Sequence, residues 1–210
     1  MINLITLEQK LEQFVLKNME FDPAHDIHHI KRVVKLAKSL AKQEQADPYV
    51  VVPSAWLHDC VNVSKDSPDR NKGSLFSADK ALLILQKMSY PEKYFDNIHH
   101  TIHAHSFSAN VPTETLEAMV LQDADRLDAI GALGIARCLR FGAIKGAAIY
   151  HPDEPIAQTR ELDEKQYSID HFYTKLFKLE ETMKTSAGTA VAHQRTQYMR
   201  GFVEQLVSEL

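Results

Sequence analysis

The chain has 210 residues, 44% of them apolar and 25% charged, which is enough length and apolar content to bury the core of an ordinary globular protein. Lys and Arg number 24 against 28 Asp and Glu, and this net charge of −4 gives no electrostatic footprint for nucleic acid or an anionic membrane. No apolar run approaches the ~20 residues that span a bilayer, no secretory signal is evident, and two cysteines are too few for a disulfide framework. We therefore expect a cytoplasmic protein that binds neither nucleic acid nor membrane.

Apolar residues recur at helical spacing along almost the whole chain. The predicted helices, in chain order, cover 7–19, 28–43, an element punctuated by Pro48 and Pro53, 77–88, 94–105, two runs within 113–142, 168–185 and 190–210. Ser77 is expected to cap the helix that it begins. No alternating strand pattern, internal repeat or low-complexity tract is present, so the chain is predicted to be one all-α domain.

Two segments read as long loops between these helices, at 61–74 and 144–167. The second is too long for a plain connection, and loops of that length usually carry function or are locally disordered.

Histidine is unusually frequent, with eleven in the chain. Eight of them lie in the first half: His25, His28, His29, His58, His99, His100, His103 and His105. Scattered surface histidines would not cluster in this way, so metal or phosphate chemistry is indicated.

His58 and Asp59 end an apolar run, "SAWL" at 54–57, although buried polar groups need partners and buried charges need a counter-charge or a metal. His29 opens an apolar helix stripe, and Asp125 lies in "QDADRLDAIG" on another. Each of these residues alone has an ordinary structural explanation. The joint order His, His-Asp, Asp, each with apolar flanks, indicates a shared site.

This order resembles the HD-domain superfamily of metal-dependent phosphohydrolases, all-α proteins named after the His-Asp doublet. Five segments are similar to small stand-alone bacterial HD hydrolases, and the resemblance covers roughly residues 20–205: "DPAHDIHHIKRVVKLA", "WLHDCVNVSKDSPDR", "HSFSA", "QDADRLDAIGALGIAR" and "HFYTKLFKLEETMKT". It implies metal ligation by His29, His58, Asp59 and Asp125. It also implies a single HD-type helical bundle over 1–210, with a core at about 20–130, C-terminal helices at about 168–210 packed on it, and both long loops near the metal site.

Two imidazoles and two carboxylates form a mixed nitrogen and oxygen site with room for water, which suits one Mn, Fe, Ni, Co or Mg ion per chain. Such a metal lowers the pKa of bound water and polarises a phosphoryl oxygen. We prefer Asp125 to Asp123 as the fourth ligand, because the resemblance matches the acid directly before Arg126.

Phosphoryl transfer also needs cations and donors around the phosphate oxygens, and histidine is readily tuned near neutral pH. The candidate catalytic residues are Asp59, His58, Lys65, His100 and His105. The candidate substrate contacts are Arg32, Lys65, Arg70, His103, Asp128 and Lys175. The histidines of "IHHTIHAHS" could instead bind a second metal, as in dinuclear branches of the superfamily. For Lys175, which would share a helix face with His171, a solvated surface is an equal alternative.

We therefore expect a phosphohydrolase that uses metal-activated water to cleave a phosphoester or phosphoanhydride of a small molecule, with a nucleotide as the favoured substrate class. The alternatives are a non-catalytic HD module for regulation or assembly and a dinuclear-iron HD oxygenase. No Gly-Tyr-Pro motif follows the aspartate block, which disfavours the cyclic-di-nucleotide phosphodiesterase branch. The substrate, the native metal, the choice between monomer and homodimer, and the role of the 144–167 loop stay open.

Overall fold

The computed structural model describes residues 3–18, 27–63 and 67–210, and these ranges are mainly helical. The α-helices are Leu4–Asn18 (α1), Ile27–Glu44 (α2), Pro48–Leu57 (α3), Gly73–Lys87 (α4), Phe95–His105 (α5), Leu116–Leu127 (α6), Ala132–Ile144 (α7), Asp170–Thr174 (α8) and Ser186–Ser208 (α9). Short 3-10 helices occur at Arg70–Lys72, Glu92–Tyr94 and Leu176–Thr182. These ranges contain no strand, only an isolated bridge between Ala148 and Tyr167. The predicted all-α class is confirmed.

Two compact units divide the chain, Met1–Asp125 and Arg126–Leu210. The predicted boundaries of a single domain over 1–210 stay a prediction. None of the helices in the described ranges combines the length and apolar character needed to cross a membrane.

In the first unit, α3 is the central helix and contacts α1, α2, α4 and α5. Asp47 caps its start by accepting a hydrogen bond from the Tyr49 N–H at 2.8 Å, and Pro48 occupies the first turn, where its missing N–H costs nothing. Every residue from Val50 to Leu57 is buried, as expected of a helix that is apolar on all sides. The helix ends at His58, so the His-Asp doublet emerges directly from the core.

Around this core, α2 places an apolar stripe inward and its lysines outward, and His29 is buried on the same stripe. Helix α4 packs on α5. The prediction that Ser77 begins α4 is wrong, because the helix starts at Gly73. Ser77 is buried inside the helix, and its hydroxyl accepts the Val61 N–H at 3.1 Å instead of capping.

The two helical runs predicted within 113–142 are confirmed as α6, which ends at Leu127, and α7, which begins at Ala132. Gly131 separates them with φ +83°, a left-handed conformation that glycine adopts without strain. The single helix predicted over 168–185 is wrong. Helix α8 ends at Thr174, Lys175 follows with φ −136°, and a 3-10 helix continues from Leu176.

Candidate metal centre

The four predicted metal ligands come together in the first unit, from the start of α2, the end of α3 and the body of α6. The His29 Nε2 atom lies 3.5 Å from Asp125 Oδ1 and 3.9 Å from Asp59 Oδ2. The His58 Nε2 atom lies 3.4 Å from Asp59 Oδ2. Both imidazoles are buried, whereas the Asp59 and Asp125 side chains are 28% and 30% exposed. The cluster is therefore closed on its histidine side and accessible along its carboxylates.

The orientation of His58 tests whether these residues fit a cation. Its Nδ1 lies 2.9 Å from the Ala55 carbonyl oxygen, and only a protonated Nδ1 can donate to a carbonyl. The buried Nε2 has no hydrogen-bond partner and faces Asp59. In the neutral ring, the Nε2 lone pair would therefore meet carboxylate oxygens, a contact that needs a cation between them. The residues fit a metal ion on this ground.

The electrostatics of the cluster favour positive charge at the same place. Burial alone would lower the pKa of His58, but the charges of Asp59 and Asp125 outweigh it and raise that pKa to about 9. Burial would raise the pKa of Asp59, yet the contacts with His58 and His105 hold it well below its usual range. The negative potential of these carboxylates would stabilise either a proton or a divalent metal ion beside His58.

His105, predicted from the sequence as a catalytic residue, lies against Asp59. Its Nδ1 is 2.5 Å from the Ile102 carbonyl oxygen, and its Nε2 is 3.6 Å from Asp59 Oδ1. The two oxygens of Asp59 therefore face different partners, Oδ2 toward His29 and His58 and Oδ1 toward His105.

Two overlapping groups in the described ranges place their ligand atoms within 4.8 Å of one another: His29, His58 and Asp125, and His58, Asp59 and His105. Either group could hold a metal. The role of the four predicted residues as ligands, and the predicted number of one metal per chain, stay predictions.

A polar pocket adjoins the cluster, and Asp59 and His105 form part of its wall. Its polar lining comes from Asp59, Asn62, Arg70, Ser74, His105, Ser106 and Ser108. Arg70 is fixed in place because its Nη1 donates to the Val63 carbonyl at 2.7 Å. The structure thus places one predicted substrate contact beside the predicted ligands.

The other predicted histidines of α5 have different partners. His100 Nε2 accepts the Glu114 N–H at 3.0 Å. His103 is half-buried with its ring centroid 6.2 Å from that of His99, and burial together with His99 and His100 lowers its pKa. The roles predicted for His100 and His103 stay predictions.

The remaining predicted substrate contacts are dispersed. Arg32 is half-buried on α2, one turn after His29, and Lys65 lies outside the described residues. In the second unit, Asp128 is buried with its Oδ2 2.5 Å from Arg137 Nη1. Lys175 is exposed beyond the end of α8. These assignments also stay predictions.

Comparisons with known proteins identify the family. The HD-domain family model matches residues 26–130. An uncharacterised Bacillus subtilis protein, YpgQ, is 32% identical over 191 residues, which cover 89% of this chain and 84% of YpgQ. The chain belongs to the HD-domain family. HD domains are metal-dependent, and the two groups of this chain that could hold a metal lie inside the matched range.

Solved HD-domain structures are similar to this chain over almost its full length. An HD-superfamily hydrolase from Bacillus thuringiensis has a TM-score of 0.77 and 32% identity, with 99% of this chain and 98% of that chain covered. Bacillus subtilis YpgQ, solved in complex with ADP, has a TM-score of 0.75 and 27% identity, with 98% of this chain and 96% of that chain covered.

A set of contacts that the sequence did not indicate fixes the segment after the HD doublet onto α4. Ser77 Oγ accepts the Val61 N–H at 3.1 Å, and Lys80 Nζ donates to the Cys60 carbonyl at 3.0 Å. The Cys60 thiol donates to the Ser77 carbonyl at 3.4 Å. We call Ser77 and Lys80 the α4 clamp. Its members are ordinary helix residues in the sequence, so no local signal distinguishes them.

Proposed function

We propose that this HD-domain chain is a metal-dependent phosphohydrolase that cleaves a phosphoester or phosphoanhydride of a small molecule, with a nucleotide as substrate class. One observation carries the proposal. Two buried imidazoles and two partly exposed carboxylates converge, and the buried His58 Nε2 faces Asp59 without a hydrogen-bond partner.

His29, His58, Asp59 and Asp125 are the residues that would hold the metal. When bound, a divalent metal supplies Lewis acidity, which polarises a phosphoryl oxygen and lowers the pKa of coordinated water. The protein orients the ligands: the Ala55 carbonyl fixes the ring of His58, as outer partners of metal ligands commonly do.

Asp59 and His105 are suited to moving a proton near the phosphate. Asp59 Oδ1 faces His105 Nε2 at 3.6 Å and is not directed at the other two histidines. The Ile102 carbonyl holds the His105 ring in position from the opposite nitrogen. Both residues line the polar pocket, so a phosphate that enters the pocket meets them.

Arg70 supplies the positive charge of the same pocket. A guanidinium presents several donors in a planar fork that matches phosphate oxygens. The ADP bound to YpgQ supports a nucleotide as the molecule that carries this phosphate.

The test combines metal analysis with hydrolysis assays on purified protein. We expect bound divalent metal and metal-dependent release of phosphate or pyrophosphate from a panel of nucleoside mono-, di- and triphosphates and p-nitrophenyl phosphate. His58→Ala and Asp59→Ala should each lower turnover by at least about 1,000-fold, because each removes a ligand and a catalytic group together.

His193→Ala is the matched control, since His193 is exposed in the second unit and its Nδ1 is paired with Glu180 at 2.7 Å. It should retain full turnover. Undiminished turnover in His58→Ala or Asp59→Ala would contradict the proposal. Bound metal without hydrolysis of any phosphate compound would favour a non-catalytic module, and two redox-active irons per chain would favour an oxygenase.

A further inference from the structure

The polar pocket beside Asp59 and His105 has a composition that bears on what the chain recognises. Its apolar lining in the described ranges is aliphatic, from Val61 and Val63, and no Phe, Tyr or Trp from those ranges lines it. Proteins that bind nucleobases usually stack them on aromatic side chains or on guanidinium planes. The ring and guanidinium side chains among the described lining residues are His105 and Arg70, and the proposed function engages both with the phosphate, so this lining offers a base no further stacking surface.

Hydrogen-bond donors make up most of the remaining lining. Ser106 and Ser108 lie together with their hydroxyl oxygens 3.0 Å apart, and Asn62 adds an amide. Gly73 and Ser74, the first residues of α4, also line the pocket, so the positive end of a 15-residue helix lies at its wall. These groups suit an anion with several oxygens.

Arg70 is the single cationic side chain among the described residues that line the pocket. One of its nitrogens donates to the Val63 carbonyl at 2.7 Å, which fixes the plane of the guanidinium before any ligand arrives. A fixed guanidinium loses little side-chain freedom on binding and holds phosphate in one orientation.

On the basis of the proposed phosphohydrolase function, we infer that this chain recognises the phosphate chain of its substrate and not the base. It should therefore also hydrolyse inorganic tripolyphosphate, a compound with neither base nor sugar. Water adds to one phosphorus, and the bond from that phosphorus to the bridging oxygen breaks with its electron pair on the leaving oxygen. The products are pyrophosphate and orthophosphate, and the protons of the water pass to the products and solvent.

The experiment compares tripolyphosphate with ATP on the metal-loaded protein, with phosphorus NMR to identify products. Free divalent metal is held constant because both compounds chelate it. We expect kcat/KM for tripolyphosphate to lie within about tenfold of that for ATP, since the pocket groups interact with both.

Hydrolysis of ATP with tripolyphosphate more than about 1,000-fold poorer would overturn the inference and leave the proposed function standing. Hydrolysis of neither compound, nor of any other phosphate compound, would overturn both. The two failures are thus distinguishable without any variant.

Variants of the pocket give a second test. Arg70→Ala should lower kcat/KM for ATP and for tripolyphosphate by the same factor, about 10- to 100-fold, as for loss of a hydrogen bond to a charged group. Lys72→Ala is the matched control, because Lys72 lies two residues on, is exposed and pairs with Asp69 at 2.8 Å. A decrease for ATP alone, or an equal decrease in Lys72→Ala, would contradict the inference.

Arg70 also holds the loop through Val63, so Arg70→Ala could perturb folding. Arg70→Lys retains the charge and N–H donors but loses the planar fork, and it should give an intermediate decrease with an unchanged helical circular dichroism spectrum. Calorimetric titration of tripolyphosphate into the His58→Ala variant, with and without Arg70→Ala, reports binding apart from turnover. We expect the second substitution to weaken binding about tenfold; unchanged binding would count against the inference.

Discussion

Replacing Ser77 by alanine tests whether the α4 clamp supports the candidate metal centre. Ser77 is 1% exposed, and its hydroxyl accepts the Val61 N–H at 3.1 Å and lies 3.5 Å from the Val61 carbonyl. The substitution removes these contacts and leaves a half-buried N–H without its acceptor. Such a loss costs about 1–3 kcal/mol of unfolding free energy.

Ser77→Ala should also lower the affinity of the candidate site for metal. Val61 lies two residues after Asp59, and partners that hold a ligand in place typically contribute about 10- to 100-fold to metal affinity. Urea unfolding gives the stability of Ser77→Ala, and competition with a chelating dye gives its metal dissociation constant. Ser39→Ala is the control, because Ser39 is an exposed helix serine whose hydroxyl accepts a hydrogen bond from the Gln43 amide at 3.4 Å.

A loss of stability in Ser77→Ala without any change in metal affinity would refute the link between the clamp and Asp59. Stability within about 0.5 kcal/mol of the wild type, the range of ordinary surface substitutions, would refute the structural part of the reasoning as well.

Two further predictions concern stability. Burial would raise the pKa of Glu117, but the Asp47 N–H and the Asn97 amide donate to its carboxylate and lower that pKa. The ionised carboxylate therefore stabilises the fold above the unfolded pKa of about 4.3, and this stabilisation is lost as pH falls through the folded pKa. Urea titrations should show Glu117→Gln less stable than the wild type at pH 7 and the gap narrowing below pH ~4; a gap constant with pH would contradict this. Gly134→Ala should destabilise by more than about 2 kcal/mol, because the new Cβ would lie 2.3 Å from a backbone oxygen. Gly201→Ala, where nothing lies within 4 Å, should stabilise α9 by about 0.5–1 kcal/mol, and equal thermal shifts in the two variants would show the reasoning wrong.

Periodicity was sufficient for the helices that carry the first unit. The apolar stripe of α2 and the continuous apolar run of α3 predict their burial, and both helices end within one or two residues of expectation. Ser77 shows where such prediction fails. Serine is a frequent helix cap, but here a tertiary partner at Val61 uses its hydroxyl, and α4 extends back to Gly73.

The candidate site likewise contains residues that the sequence predicts and contacts that it does not. The order His29, His58-Asp59, Asp125 was visible because costly polar residues interrupt apolar stripes, and the structure brings those side chains together. The pairing of Asp128 with Arg137 was not visible, because the same acid on a helix can be a ligand, a substrate contact or an ion-pair partner. Choosing among these needs the neighbours, which sequence spacing does not provide.

The position of the His-Asp doublet at the end of α3 ties the candidate metal centre to the folding of the first unit. Because α3 is buried from Val50 to Leu57 and contacts four other helices, the doublet is attached directly to a packed helix. Local unfolding, which is easiest in loops, would here require α3 to lose its packing in the core. The proposed activity should therefore be lost on heating in step with unfolding of the first unit, and the candidate site should be as stable as the core that carries it.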